Sequence, residues 1–174
     1  MSKIEVNTID AVSGTSTLTL GSSNASTIAL GSGDVQSNFL HPAFHAQKTD
    51  AQQVIDNTTL TKVTFNNEIL DSDSKYASDR FTPTISGFYY IYGSWGINTS
   101  AEVTQMRCEL YKNGSLYQSG RSYNSELSTA AVAAIVQLDS DDYVEIYARQ
   151  DRGSAAGIQH NESQTFFGGF RIGT

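Results

Sequence analysis

The sequence predicts an all-β protein, a sandwich or jelly roll preceded by a repetitive β-arm, and three observations carry that prediction. From Phe39 to Thr174 apolar residues recur at every second position, with almost no helical periodicity. Turn signals separate the alternating runs at short intervals. Ahead of them, a ten-residue Ser/Thr/Gly repeat replaces the aromatic-rich pattern of the remainder.

The arm comes first in the chain. Residues 1–38 contain none of the 18 aromatic side chains, and their charges are confined to Lys3, Glu5, Asp10 and Asp34. TSTLTLGSSN (15–24) aligns with ASTIALGSGD (25–34): Ser16/Ser26, Thr17/Thr27, Leu20/Leu30, Gly21/Gly31 and Ser22/Ser32 are identical, and Leu18/Ile28 is conservative. Each unit reads as a short strand closed by a Gly-Ser turn. Two apolar residues per strand cannot offset about 1–2 kcal/mol of backbone entropy per residue. Three entwined copies could, if Leu18, Leu20, Ile28 and Leu30 met on a shared axis. The arm is therefore read as a trimerising and attaching segment; a flexible tail is the alternative that its low complexity leaves open.

The body follows in short strands. Val63 and Phe65 alternate with Lys62 and Thr64. Phe88, Tyr90 and Tyr92 face one way and Tyr89 and Ile91 the other, the pattern of a strand covered on both sides. Met106, Cys108 and Leu110 alternate with Arg107, Glu109 and Tyr111. Val132, Ala134, Val136 and Leu138 form another line, then Val144, Ile146 and Ala148. Phe166, Gly168, Phe170 and Ile172 end the series. Asn113-Gly114 is a two-residue hairpin signal, while Ser86-Gly87 and Asp139–Asp142 separate further strands.

Composition excludes several functions. The formal charge of −7, with only 11 Lys and Arg and no basic cluster, argues against nucleic acid as a partner. No apolar run approaches the ~20 residues of a membrane span, so no membrane insertion is expected. The opening MSKIEVNTID lacks an apolar core, so no signal peptide is expected either. A single cysteine, Cys108, rules out an internal disulfide and shares its face with Met106 and Leu110, which assigns it to the core. Nucleophile-elbow, zincin and phosphate-loop motifs are lacking, so the chain is read as a non-enzyme. His41 and His45 lie four apart in strand-like sequence, about 13 Å along a strand, so they make no metal pair. Asp71-Ser-Asp73-Ser-Lys75 begins like a calcium loop but lacks the later Gly and Glu.

Segments 118–126 and 149–163 are polar and read as loops. Tyr with Ser, Asn and Arg suits adaptable recognition, which makes Tyr117, Arg121, Tyr123, Arg149, Arg152 and His160 the candidate ligand surface, against the alternative of ordinary solvated loops.

From residue 42 to 172 the chain resembles the C1q-type jelly roll of the C1q/TNF-like family. PAFHAQ (42–47) is similar to its first strand, and KVTFNNEILDSDSKYASDRFTPTISGFYYIYGSWGI (62–97) to its central signature. LYKNGSLY (110–117), VQLDSDDYVEIYA (136–148) and TFFGGFRI (165–172) match the hairpin, the acidic turn with its flanking strands, and the last strand. The turn departs from the family in carrying Asp141-Asp142 where Gly-Asp is usual. No collagen-like Gly-x-y stem precedes the domain, so an animal complement-type role is not implied.

The resemblance implies a homotrimer, with domain 39–174 as its knob and Phe65, Phe88, Tyr90, Trp95, Phe166 and Phe170 in the core or the trimer interface. It also makes the acidic turn Asp139, Asp141, Asp142 the place where Ca2+ would sit, since some such trimers hold calcium near their axis; a solvated turn is the simpler reading, and no cofactor is expected. Together with KIEVNTIDAVSGTSTLTLGSS (3–23), the architecture resembles virion fibre and surface proteins of tailed bacteriophages. The implied role is a non-enzymatic short fibre or knob on the virion surface. Residues 1–38 would attach it to capsid or tail proteins, and the knob would meet a host receptor or polysaccharide. A capsid decoration or cement trimer is one alternative and a bacterial C1q-like binding module another.

Overall fold

Alternation in GFYYIYGSWGIN builds the longest strand and sets the plan of the domain. In the computed structural model, which describes residues 42–99, 102–125 and 129–173, this segment is β7 (Gly87–Asn98). Tyr89, Ile91, Trp95 and Ile97 point into the core, while Phe88 and Tyr90 point out. The predicted arm, with Leu18, Leu20, Ile28 and Leu30, and His41 lie outside the described residues.

The remaining strands are β1 (Ala43–Gln47), β2 (Gln53–Ile55), β3 (Thr61–Lys62), β4 (Asn67–Asp71), β5 (Tyr76–Ala77), β6 (Arg80–Phe81), β8 (Val103–Lys112), β9 (Ser115–Ser125), β10 (Thr129–Leu138), β11 (Val144–Asp151), β12 (Ala156–Ile158) and β13 (Phe166–Gly173). Among the described residues there is no helix. One sheet runs β2-β12-β7-β13-β1-β4, with β10 also paired to β7 on the edge opposite β13; the second runs β5-β6-β11-β8-β9, with β3 also on β11. The named pairings are antiparallel, and the two sheets face each other as a jelly-roll sandwich.

Between the sheets lies one core. Phe44 stacks on Phe81 at 4.2 Å and meets Phe167 edge-on at 4.8 Å. Met106, Cys108, Leu110, Val144, Ile146 and Ala148 close it from the second sheet. Trp95 is fully buried, and its Nε1 donates to the Arg107 carbonyl at 2.8 Å, tying the first sheet to β8.

Three expectations need correction. Val63 and Phe65 are buried as alternation requires, but the strand ends at Lys62. The Thr64 N–H donates to Gln53 Oε1 at 3.0 Å and the Phe65 N–H to Asp79 Oδ1 at 2.7 Å, so side chains replace the ladder. Segment 118–126 is not a loop as far as Ser125, because residues 118–125 belong to β9, paired along β8. Its Gly120 and Ser122 are explained by a crowded seam, where the Ser122 hydroxyl donates to the Thr129 carbonyl at 3.0 Å. A Cβ on Gly120 would run into the Ala131 carbonyl, so glycine lets β9 lie against β10 and close that side of the sandwich. Segment 149–163 likewise contributes the end of β11 and all of β12 before it loops.

The hairpin and the acidic turn form one unit. Asn113 and Gly114 take positive φ of 51° and 74°, as a tight turn with the twist of its strands requires. Asp142 binds across from the other turn. Its carboxylate accepts from Asn113 Nδ2 (2.6 Å), Lys112 Nζ (2.8 Å) and the Asp139 N–H (2.8 Å). Partial burial pushes its pKa up, but these donors outweigh that and bring it from 3.8 down to about 2. A depressed folded-state pKa means that the stabilisation is complete above the unfolded value and is lost as pH falls through the folded one. The urea midpoint should therefore decline from about pH 4 towards pH 2, and Asp142→Asn should flatten that decline. An unchanged acid limb in the variant would rule the linkage out.

Candidate functional site

Two outward faces carry the functional candidates. The first is the outside of the first sheet. Cross-strand register sets Ala43, Phe170, Tyr90 and Ile135 in one row and Leu70, His45, Gly168, Tyr92 and Ala133 in the next. Gln47, Phe166, Ser94 and Ala131 form a third row, and Phe88 pairs with Gln137 beyond the first. The rings make a connected network: Tyr90 to Phe170 at 5.6 Å, Tyr90 to Tyr92 at 6.1 Å, and His45 to both Tyr92 and Phe166 at 6.0 Å.

In the single chain this face is largely bare. Phe88 is 41% exposed, Tyr90 37%, Phe170 45%, Ile172 48% and Ile135 57%. Contiguous apolar area of that kind on a soluble domain marks an interaction surface. The expected set therefore divides: Phe65 and Trp95 are core, whereas Phe88, Tyr90, Phe166 and Phe170 belong to the outer face. The expectation that the aromatic strand is covered on both sides is corrected for the single chain, where only its inner side is covered. The core ring of the last strand is Phe167, which the sequence reading passed over. His45 Nδ1 lies 3.1 Å from the Tyr92 hydroxyl, and burial lowers the imidazole pKa.

The second face is the outside of β9, β8 and β11. Its lower part is a closed ion network. Glu145 is buried, and one carboxylate oxygen accepts from Lys62 Nζ (2.7 Å), Arg80 Nη2 (2.9 Å) and Arg80 Nε (3.0 Å). Burial raises the Glu145 pKa, but the hydrogen bonds and charges of Lys62 and Arg80 prevail and hold it below the ordinary range. The Arg80 guanidinium also lies 3.7 Å over the Tyr143 ring.

The upper part is a row of three arginines on adjacent strands. Arg121 pairs with Arg107, and Arg107 with Arg149. Ser119, Glu109 and Tyr147 form the row on one side, and Tyr123, Gln105 and Asp151 the row on the other. Arg107 Nε donates to Gln105 Oε1 at 2.5 Å, and its Nη1 is 3.8 Å from Glu109. Arg149 Nε donates to the Thr58 carbonyl at 2.8 Å, and Arg121 Nη1 to the Tyr123 hydroxyl at 3.4 Å. That hydrogen bond, with the charges of Arg121 and Arg107, pulls the Tyr123 phenol below its usual range.

The predicted ligand surface is thus only partly assembled. Arg121, Tyr123 and Arg149 share the arginine face. Tyr117 turns towards β10, its hydroxyl donating to the Ile135 carbonyl at 2.9 Å. Arg152 holds its own turn through the Ala155 carbonyl at 2.7 Å, and His160 is exposed in the loop before β13. Arg107, central to the row, was not singled out from sequence.

Other candidates resolve structurally. Asp71 accepts from the Tyr76 N–H (2.7 Å) and Asp73 from the Thr84 hydroxyl (2.6 Å), which shapes a turn. Both Asp142 oxygens are engaged by protein donors, with Asp139 and Asp141 exposed beside them. Among the described residues no three His, Cys, Asp or Glu side chains converge on a common point. Cys108 is fully buried, and burial with the neighbouring Glu109 charge drives its thiol pKa far above normal.

Fold and faces together define a jelly roll of the C1q/TNF type, with one apolar and one polar outer sheet. Residues 43–172 match the family model of the C1q domain, and the chain belongs to that family. No curated protein matches it. Among solved structures it is similar to murine APRIL at pH 8.5, at 13% identity and a TM-score of 0.58, covering 76% of this chain and 99% of that one. The globular domain of zebrafish complement 1qA aligns at 20% identity and a TM-score of 0.53, over 75% and 97% of the two chains. Eiger TNF from S. frugiperda aligns at 10% identity and 0.55, over 76% and 92%. At such identities these structures establish the fold. C1q/TNF-like domains are typically non-enzymatic binding modules that form homotrimers.

Proposed function

We propose that this chain is a homotrimeric, non-enzymatic adhesion module on a tailed-phage virion, a short fibre or knob anchored through residues 1–38. The observation that carries the reading is the aromatic outer face of the first sheet. Its exposed rings and aliphatic side chains form a contiguous patch, and three copies packed on it around an axis would bury it in the manner of the family. The virion placement is supported by the likeness of 3–23 to the openings of phage structural proteins and by the Ser/Thr/Gly repeat. Trimerisation would give weak contacts of each knob avidity for a repetitive host receptor or polysaccharide.

Two measurements test this. The purified full-length chain should scatter light as three times its 18.9 kDa. Added in excess, it should compete with particles for adsorption to host cells. A monomer would overturn the trimer. Normal adsorption in the presence of saturating protein, with particles that become fragile when the chain is deleted, would overturn adhesion in favour of the cement role.

A further inference from the structure

We propose that Arg121, Arg107 and Arg149 form a binding site for an acidic polysaccharide, one that carries carboxylate or sulfate groups along a neutral sugar backbone. The inference rests on the reading of the domain as a surface-binding module and names the chemistry it binds. Its basis is the register of the second sheet. Side chains opposite each other on antiparallel strands have Cβ atoms about 4.5–5.5 Å apart, and like charges there repel. Two successive arginine pairs place three positive groups across about 10 Å. The whole chain has only 11 cationic residues against 18 acids, so this row is a local reversal of its charge.

The row is only partly neutralised from within. Glu109 lies 3.8 Å from Arg107 and its charge also reaches Arg121, but it is itself buried beneath the face. Among the described residues no carboxylate is ion-paired with Arg121 or Arg149. The Thr58 carbonyl fixes Arg149 through Nε, and Gln105 fixes Arg107 in the same way. That geometry steers planar guanidinium groups while leaving terminal N–H donors for an anion, the arrangement suited to bidentate carboxylate or sulfate recognition.

The neighbouring rows decide between polyanions. Tyr123, exposed, and Tyr147, half-buried, offer aromatic rings against which sugars pack. Asp151, exposed one row from Arg149, would accept from a sugar hydroxyl but would repel a backbone bearing phosphate at every residue. A chain with sparse anions and many hydroxyls fits; a nucleic acid does not.

The test uses the full-length chain with alginate, dextran sulfate, neutral dextran and single-stranded DNA as probes, in titrations at several salt concentrations. Binding to alginate or dextran sulfate, weakening as salt rises, is expected. Arg107→Gln, Arg121→Gln and Arg149→Gln should each reduce that affinity by about tenfold and lessen its salt dependence. Lys75→Gln, which removes one exposed charge elsewhere, should not. No binding to either acidic polymer, tighter binding to DNA, or a triple Arg→Gln variant that binds like the parent would overturn the proposal. Light scattering and adsorption competition on the same variants separate the two readings. Trimers that still compete for host cells without the arginines would sink this site and leave the adhesion module standing. Loss of the trimer in the parent chain would instead sink the module.

Discussion

Phe170→Glu should turn the assembled protein into single chains, its mass by light scattering falling to 18.9 kDa with its far-UV spectrum unchanged. Phe170 points away from the core, is 45% exposed and pairs in register with Tyr90, whose tilted ring lies 5.6 Å from its own. A carboxylate there sits in water in the lone domain and costs it little. In the proposed trimer the same carboxylate would lose water at an aromatic contact, with no cation in its row: the partners along the register are Ala43, Tyr90 and Ile135. Burying an unpaired charge costs several kcal/mol, and truncating a central aromatic of an interface about 2 kcal/mol or more. Three copies of the penalty would fall near one axis. A variant that kept the parent's mass would show that the aromatic face is not the contact between copies.

Trp95→Ala should produce the largest loss of stability within one chain, about 3–5 kcal/mol in urea unfolding. The indole is fully buried between the sheets, so its removal leaves a cavity that surrounding strands cannot fill without losing register. The Arg107 carbonyl would lose its 2.8 Å donor, adding the cost of an unsatisfied buried group. Since a domain of this size is stable by about 5–15 kcal/mol, the variant would lie near its threshold. Trp95→Phe should recover most of the packing but not the hydrogen bond. A loss below about 1 kcal/mol for the alanine variant would mean that the sheets are not held through this residue.

Some of this was legible in the sequence because the relevant signals are local. Asn113-Gly114 announces its hairpin through the positive φ that both positions need, and the parity of Tyr89 and Ile91 against Phe88 and Tyr90 fixes the faces of β7. Parity fails where both faces carry similar residues. In Phe166-Phe167-Gly168-Gly169 neither register looks more apolar, so nothing local identifies Phe167 as the core residue. β9 was illegible for a different reason. Its Gly120 and Ser122 answer to the closeness of β10, a contact made across the sandwich. The arginine row depends on the register of three strands, and Arg107 and Arg149 are separated by 42 positions in sequence yet adjacent in the sheet. Only a backbone shows that arrangement.

The burial of Cys108 has a practical consequence. Its sulfur lies 3.6 Å from the Gly93 carbonyl in the middle of the core, and the pKa far above normal leaves almost no thiolate at neutral pH. The folded native chain should be silent to maleimides, so a cysteine placed at an exposed position such as Ser140 would be the one reactive handle on each copy. A dye attached there would count subunits by stepwise bleaching, and a paramagnetic tag would map which protons a bound sugar shields. Both experiments could be run on the protein without deleting its own thiol.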